Sequence, residues 1–431
     1  MEYFHSVTLD TNKCHGCTNC ITHCPTEAIR VQNGKAKIIK ERCIDCGECI
    51  RVCQSHAKIA VADTFAMLDD FKYNIAMPAP SFYGQFNSMF TIGQILTAFK
   101  KIGFDHVFEV ARGAEYVSAA TRYILENENP KKPVISSACP AVLRLIRERF
   151  PNLLGNVLNI ISPMETAAIL ARREASEKTG LAPEEIGVFF ISPCPAKVTS
   201  VKSPLTLEKS NVSGVITAKS AFKKIISIIE DVSEEENLSV SGSEGIFWAR
   251  TGGECLGTGS VETIAVDEIH NVITVLEEID NGKMTSVDFV ELSACPSGCS
   301  GGALNIENPF LASSRISQQS KKKPQIKEIK DLDVDGLRWE KEVQIMTFAP
   351  LDSDLGEAMR KMELMEEIYE RLPKLDCGSC GSPSCKTLAE DIVRGFASEN
   401  DCIFLMREKV RDLAKELFEL NENYRDFKKE G

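Results

Sequence analysis

Between Thr64 and Ser320 short apolar runs alternate with stretches in which apolar residues return every three or four positions. That is the pattern of parallel strands separated by helices. Three of the runs end at cysteine. KPVISSACPAVLRLIRERF reads as a buried strand, a turn carrying Cys139 and then a helix; IGVFFISPCPAK reads as a strand delivering Cys194; VDFVELSACPSGCSGG delivers Cys295 and Cys299. Ligand sites of open α/β sheets gather at the carboxyl ends of strands, where helix N-termini offer N–H groups to an anion. The three strand ends are therefore expected to converge on one centre. Beyond residue 320, QQSKKKPQIKEIKDLDVDG is charged and reads as a connector. SDLGEAMRKMELMEEIYERL is helical, with Ser353 or Asp354 as its cap and Pro373 as its stop. The last stretch, FLMREKVRDLAKELFELNENYRDFKKEG, is amphipathic; packing on its own domain, homodimer formation and partner docking all suit its spacing.

The 431 residues exceed what one core normally organises and suggest two to four units. A net charge of -12 without a Lys/Arg block disfavours nucleic acid as a partner and favours proteins or small redox carriers. MEYFHSVTLD has no basic segment leading into an apolar one, and no run approaches the roughly 18 apolar residues of a membrane span. The expectation is a soluble, cytoplasmic protein with no membrane partner.

Seventeen cysteines change the picture most. In a reducing compartment they do not form a disulfide framework, and metal sites are the natural alternative. CHGCTNCITHC and CIDCGECIRVC are two copies of C-x2-C-x2-C-x3-C. This is the bacterial ferredoxin pattern, in which three thiolates wrap one cubane and the fourth crosses to the other. Cys14, Cys17, Cys20 and Cys53 are thus assigned to one 4Fe-4S cluster, and Cys24, Cys43, Cys46 and Cys49 to a second. Zinc also takes four thiolates, but its motifs rarely run as two such strings. Cys139, Cys194, Cys295 and Cys299 suit a cluster enclosed by protein, with ordinary buried cysteines as the alternative. Cys377, Cys380, Cys385 and Cys402 suit a further 4Fe-4S cluster or a zinc knot. Cys255 is left over.

The segments SSACPAV, PCPAK and ELSACPSGCSGG resemble the three signature motifs of iron-iron hydrogenases, and the resemblance spans roughly residues 1 to 320. It implies an α/β hydrogenase catalytic domain with parallel sheets flanked by helices. An N-terminal ferredoxin-like α+β domain would precede it, and a small helical iron-sulfur domain would follow. The corresponding boundaries are 1–62, 63–320, a connector over 321–350 and 351–431. By resemblance Cys139, Cys194, Cys295 and Cys299 hold the 4Fe-4S half of an H-cluster. Cys299 bridges to a two-iron azadithiolate subsite with carbon monoxide and cyanide ligands. Lys197 falls at the cyanide-contacting position, and MPAPSFY makes Pro80 and Ser81 similar contacts. Three additional 4Fe-4S clusters would accompany the H-cluster. Dihydrogen, protons, a ferredoxin or other small redox protein and hydrogenase maturation proteins follow as partners.

Departures from the family pattern are equally specific. Ala138 stands where the family has a proton-donating thiol, and alanine has no titratable atom. Gapless counting puts Thr121, Ser118 and Leu158 at the relay positions. Ser192 and Ser293 replace methionines near the subsite and Trp248 replaces a phenylalanine, so more polar surroundings are expected. The combination resembles the sensory subgroup, which implies slow turnover and a signalling partner. Glu254, Cys255 and Glu291 are the candidates for a substitute proton route. Two rival readings remain: a hydrogenase-like iron-sulfur assembly protein, and an electron-wiring redox sensor without a two-iron subsite.

Overall fold

The computed structural model describes residues 4–427 apart from 260, 327 and 347–350. The end of the connector and the last four residues of the C-terminal stretch thus lie outside the described residues. Two compact units exchange chain segments. One holds Met1–Thr8, Ile44–Arg51 and Ile59–Met346; the other holds Leu9–Cys43, Val52–Lys58 and Thr347–Gly431. Among the described residues no helix is long and apolar enough to cross a membrane.

The larger unit is built on two parallel sheets. In the first, the strands run in the order His106–Val107, Tyr73–Pro78, Ile186–Ser192 and Gly214–Thr217. In the second the order is Thr263–Asp267, Phe289–Ser293 and Val134–Ile135. IGVFFIS is buried at every position, as a parallel strand covered on both faces should be. Ile75, Met77, Val188 and Phe190 pack into one core, while Ala76, Phe189 and Ile191 pack with Phe82, Phe86 and Phe99 into another. A third core joins Val290 and Leu292 to Val142, Ile146 and Leu276. The helices Val110–Asn127 and Pro163–Thr179 approach closely at Gly113, where a Cβ would stand 2.3 Å from the carbonyl oxygen of Pro163.

Register places the functional loops. Pro78 lies opposite Ile191, so Pro80 and Cys194 leave the same edge of the first sheet. Ile135 lies opposite Val290, so Cys139 and Cys295 leave the same edge of the second. Cys139 and Cys194 are the N-caps of the helices Pro140–Arg149 and Pro195–Lys202. Each helix opens on proline, whose fixed φ suits that position and whose missing N–H costs nothing there. The expected strand, turn and helix are present at both cysteines.

In the other unit the strands Ile29–Gln32 and Lys35–Ile38 form an antiparallel hairpin. Its turn, Asn33-Gly34, takes φ values of 51° and 70°, which the Asn-Gly pair favours. The helices Leu355–Arg371, Cys385–Val393 and Ile403–Phe427 belong to this unit. Of the two expected caps it is Asp354 that acts, accepting the Glu357 N–H at 2.9 Å; the helix ends just before Pro373. Arg30 joins the hairpin to the second helix through a buried two-point pair with Asp391, at 2.5 and 3.1 Å. Val410, Leu413, Leu417 and Leu420 on the last helix are exposed, so these positions do not pack on their own domain.

Candidate functional site

Cys139, Cys194, Cys295 and Cys299 line one mostly apolar cavity in the larger unit, together with Pro80, Ala138, Lys197 and Trp248. The three strand ends do converge. Cys299 is exposed by surface area although burial pushes its thiol up to about 12, with the Lys197 cation pulling the other way. An interior atom with exposed surface faces a cavity, and we read Cys299 so. Burial also holds the Cys194 thiol well above its ordinary range, reinforced by the charges of Cys295, Cys299 and Cys139. The loop after Cys299 needs its two glycines: a Cβ at Gly301 would stand 2.0 Å from the Pro296 carbonyl oxygen, and one at Gly302 2.4 Å from that of Pro193.

Lys197 is buried, and its Nζ donates to the carbonyl oxygen of Ala138 at 3.0 Å. Ala138 in turn donates its N–H to Ser136 Oγ at 3.2 Å, and the Ser136 hydroxyl donates to Glu254 Oε2 at 2.5 Å. Glu291 accepts the N–H groups of Gly252 at 3.0 Å and Cys255 at 2.9 Å. Burial, with the Glu291 charge beside it, pushes the Glu254 carboxyl from an ordinary 4.5 up to about 8, against the pull of Ser136 and Lys197. Burial likewise raises Glu291, and it lifts the Cys255 thiol to about 12.

The sign of the pH effect follows. The unfolded chain releases the Glu254 proton near 4.5, whereas the fold keeps it to about 8. Stability therefore falls as pH rises through that window and levels off above it. Glu254→Gln is expected to remove a slope of roughly 3 to 5 kcal/mol over the window. Denaturant midpoints of both proteins across it provide the check, and equal slopes would mean that Glu254 does not retain its proton.

Of the other predicted residues, Pro80, Trp248 and Ser293 line the cavity, as do Glu254 and Glu291. Ser81, Ser192 and Cys255 do not. Ser81 is buried beside Pro80 with no partner for its hydroxyl among the described residues. The Ser192 hydroxyl donates to the carbonyl oxygen of Cys194 at 2.9 Å and accepts the Cys194 N–H at 3.3 Å. It closes the turn instead of making the cavity polar, so the expected more polar surroundings are reduced to Ser293 and the charged groups. The Cys255 thiol points to the Ile264 carbonyl oxygen at 3.6 Å. At the positions that gapless counting assigns to a relay, Thr121 donates to Val117 O at 2.8 Å, Ser118 accepts the Trp248 indole N–H at 2.9 Å, and Leu158 sits in the core.

A second cavity lies across Ala138 and Lys197, with Ser137, Ser162, Glu165, Ser200 and Thr206 among its walls. Sequence reasoning missed Glu165, whose carboxylate accepts the Ser210 hydroxyl at 2.6 Å and the Asn211 N–H at 2.8 Å. It also missed Arg51 and Ser136. Ser136 stands inside the quoted SSAC segment, so its nearness was legible; Arg51 had no signal beyond its place in a cysteine string.

In the smaller unit, burial raises the Cys20 thiol, and the charges of Cys17, Cys14 and Cys53 add to the effect while Lys58 opposes it. Backbone N–H groups of Ala36 and Ala57 donate to Cys14 Sγ at 3.4 Å and Cys53 Sγ at 3.2 Å. Lys58 Nζ is buried and has no hydrogen-bond partner among the described residues, which suits an anionic cluster beside it. Cys377, Cys380, Cys385 and Cys402 line a small cavity of their own.

A parallel α/β fold whose strand ends deliver four cysteines to one cavity has the donor set of an iron-sulfur protein. The family described as iron only hydrogenase large subunit, C-terminal domain, matches residues 72–255 and 229–303, more than half of the chain, and the chain belongs to that family. A 4Fe-4S dicluster domain matches residues 6–54, and an Fe-S cluster family matches residues 372–404. The chain is similar to the NADP-reducing hydrogenase subunit HndD of Solidesulfovibrio fructosivorans, 22% identical over 69% of this chain and 64% of that one. It is also similar to iron hydrogenase 1 of Clostridium pasteurianum, 24% identical over 72% of this chain and 66% of that one. Cytosolic iron-sulfur assembly component 3 of Bos taurus is 21% identical over 66% of this chain and 75% of its own length. The chain thus spans slightly less than two thirds of the two hydrogenase relatives. A solved variant of the FeFe-hydrogenase HydA1 from Chlamydomonas reinhardtii is 18% identical, with a TM-score of 0.45 over 59% of this chain and 86% of that one.

Proposed function

We propose that this protein is a hydrogenase that interconverts dihydrogen with protons and electrons at an H-cluster, at a slow rate suited to a sensory or regulatory role. The observation that carries the reading is the wall of the larger cavity, where four thiols from three strand ends share one mostly apolar space with the buried Lys197. The donor set fits the group. Four sulfur donors suit an iron-sulfur cubane, and thiols held protonated by burial become ligands once a metal cation balances their charge. Lys197, on the cavity wall, is a hydrogen-bond donor of the kind that anionic cyanide ligands accept.

In this reading Cys139, Cys194, Cys295 and Cys299 would hold the H-cluster. When bound, the group supplies the metal site for making and splitting dihydrogen. The chain's residues do the rest. Lys197 fixes orientation, and the apolar wall excludes water. Ala138 can move no proton, so Glu254 holds one next to Ser136, with Glu291 behind it. Cys255 anchors Glu291 through its N–H.

The remaining cysteine sets hold three additional 4Fe-4S clusters in this proposal, with a ferredoxin or similar carrier as electron partner and maturation proteins as the source of the subsite. A cytoplasmic location, a signalling partner and a homodimer through the exposed last helix belong to the same proposal, as does a division at 1–62, 63–320, 321–350 and 351–431 that sorts the sequence by cluster and does not coincide with the two folded units. A second reading, iron-sulfur assembly without a subsite, is favoured by the bovine assembly relative. Infrared spectroscopy of the full chain supplied with the two-iron subsite separates them. Carbon monoxide and cyanide bands that shift under hydrogen are expected; their absence in protein with a full set of cubanes would favour assembly or electron wiring.

A further inference from the structure

Arg51 belongs by sequence to the second cysteine string, yet its side chain reaches a cysteine of the larger cavity. Its Nη1 donates to Cys295 Sγ at 3.4 Å and to the Gly301 carbonyl oxygen at 3.5 Å. Nε donates to Glu48 Oε2 at 3.1 Å, and Nη2 donates to the same oxygen. The guanidinium also feels the charge of Cys46. A cation carried by the N-terminal string thus donates to a cysteine of the cavity.

Its backbone has little freedom to retreat. Ile44 and Cys46 pack in the same core as Ala141, Val142 and Ala196. A Cβ at Gly47 would stand 2.7 Å from the Ala303 Cβ and 3.1 Å from Pro195 Cγ. Burial raises the Cys295 thiol; among the charges that reach it, Arg51 favours the thiolate and Glu48 opposes it.

We propose that Arg51 is a positioning and potential-setting residue: its N–H···S bond and charge make the cubane on Cys139, Cys194, Cys295 and Cys299 easier to reduce, and Glu48 limits the effect. The inference rests on the reading that these four cysteines hold a cubane; it does not require the two-iron subsite. Reduction adds one electron to the cluster, makes and breaks no bond, and draws that electron from an external one-electron carrier. The added negative charge is stabilised by a fixed cation and a donor to the ligating sulfur, and destabilised by a nearby carboxylate.

The test is an electron paramagnetic resonance redox titration of the full chain carrying its cubanes, with iron and sulfide counted. Arg51→Gln is expected to make one midpoint more negative by at least tenfold in the reduction equilibrium, about 59 mV for one electron. Arg51→Lys is expected to restore most of that shift, because the charge returns. Glu48→Gln is expected to move the same midpoint the other way. If Arg51→Gln loses the cluster, the direction of the Glu48→Gln shift decides. A full iron complement with every midpoint unmoved would overturn the inference, as would shifts of the same sign in Arg51→Gln and Glu48→Gln. A natural chain without any cubane would instead overturn the cluster reading, and this inference with it.

Discussion

An Ala138→Cys variant is expected to turn over dihydrogen on the order of 10²- to 10⁴-fold faster than the natural chain, the range that a positioned proton donor contributes. Ala138 lines both cavities, with the four thiols on one side and Ser137, Ser162, Ser200 and Thr206 on the other. Its N–H is tied to Ser136 and its carbonyl oxygen to Lys197, so its backbone is held at both ends. A thiol there would have a donor and acceptor atom where alanine has none. It would also border a polar space able to exchange protons with it. Hydrogen evolution from a reduced dye, measured with equal iron content in both proteins, is the check. Equal rates would mean that proton delivery at this position does not limit turnover.

Lys197→Met is expected to lower turnover by roughly 10²- to 10³-fold, the cost of removing one preorganised donor from a site. Methionine keeps the length and the apolar stem, so the wall survives while the charge does not. The Ala138 carbonyl oxygen loses its donor, a penalty of about 1 to 3 kcal/mol. Lys197 is not among the thiol ligands, so cubane iron should be unchanged while the carbon monoxide and cyanide bands weaken. Full bands and full activity would exclude Lys197 as a contact of the subsite.

Much of the site was legible because its signals are local. An apolar run ending at Cys194-Pro195 specifies a strand, a cap and a helix start within a few residues, and the structure has all three. The spacing of the N-terminal cysteines is equally short-range. Illegible features depend on contacts far apart in sequence. Arg51 meets Cys295 across 244 positions. The second cavity draws Trp339 and Glu165 to its walls from distant segments. Ser192 was expected to add polarity, but a hydroxyl two residues before a helix cap found backbone partners first. Leu158, Thr121 and Ser118 were expected to carry no relay; the structure gives their neighbours, with Thr121 donating to Val117 O, Ser118 accepting from Trp248 and Leu158 in the core.

The exchange of chain segments between the two units bears on inheritance. Ile44–Arg51 folds with the larger unit, while the stretches on either side fold with the smaller one. A gene fusion or deletion at residue 62 would therefore carry part of one folded body away with the other.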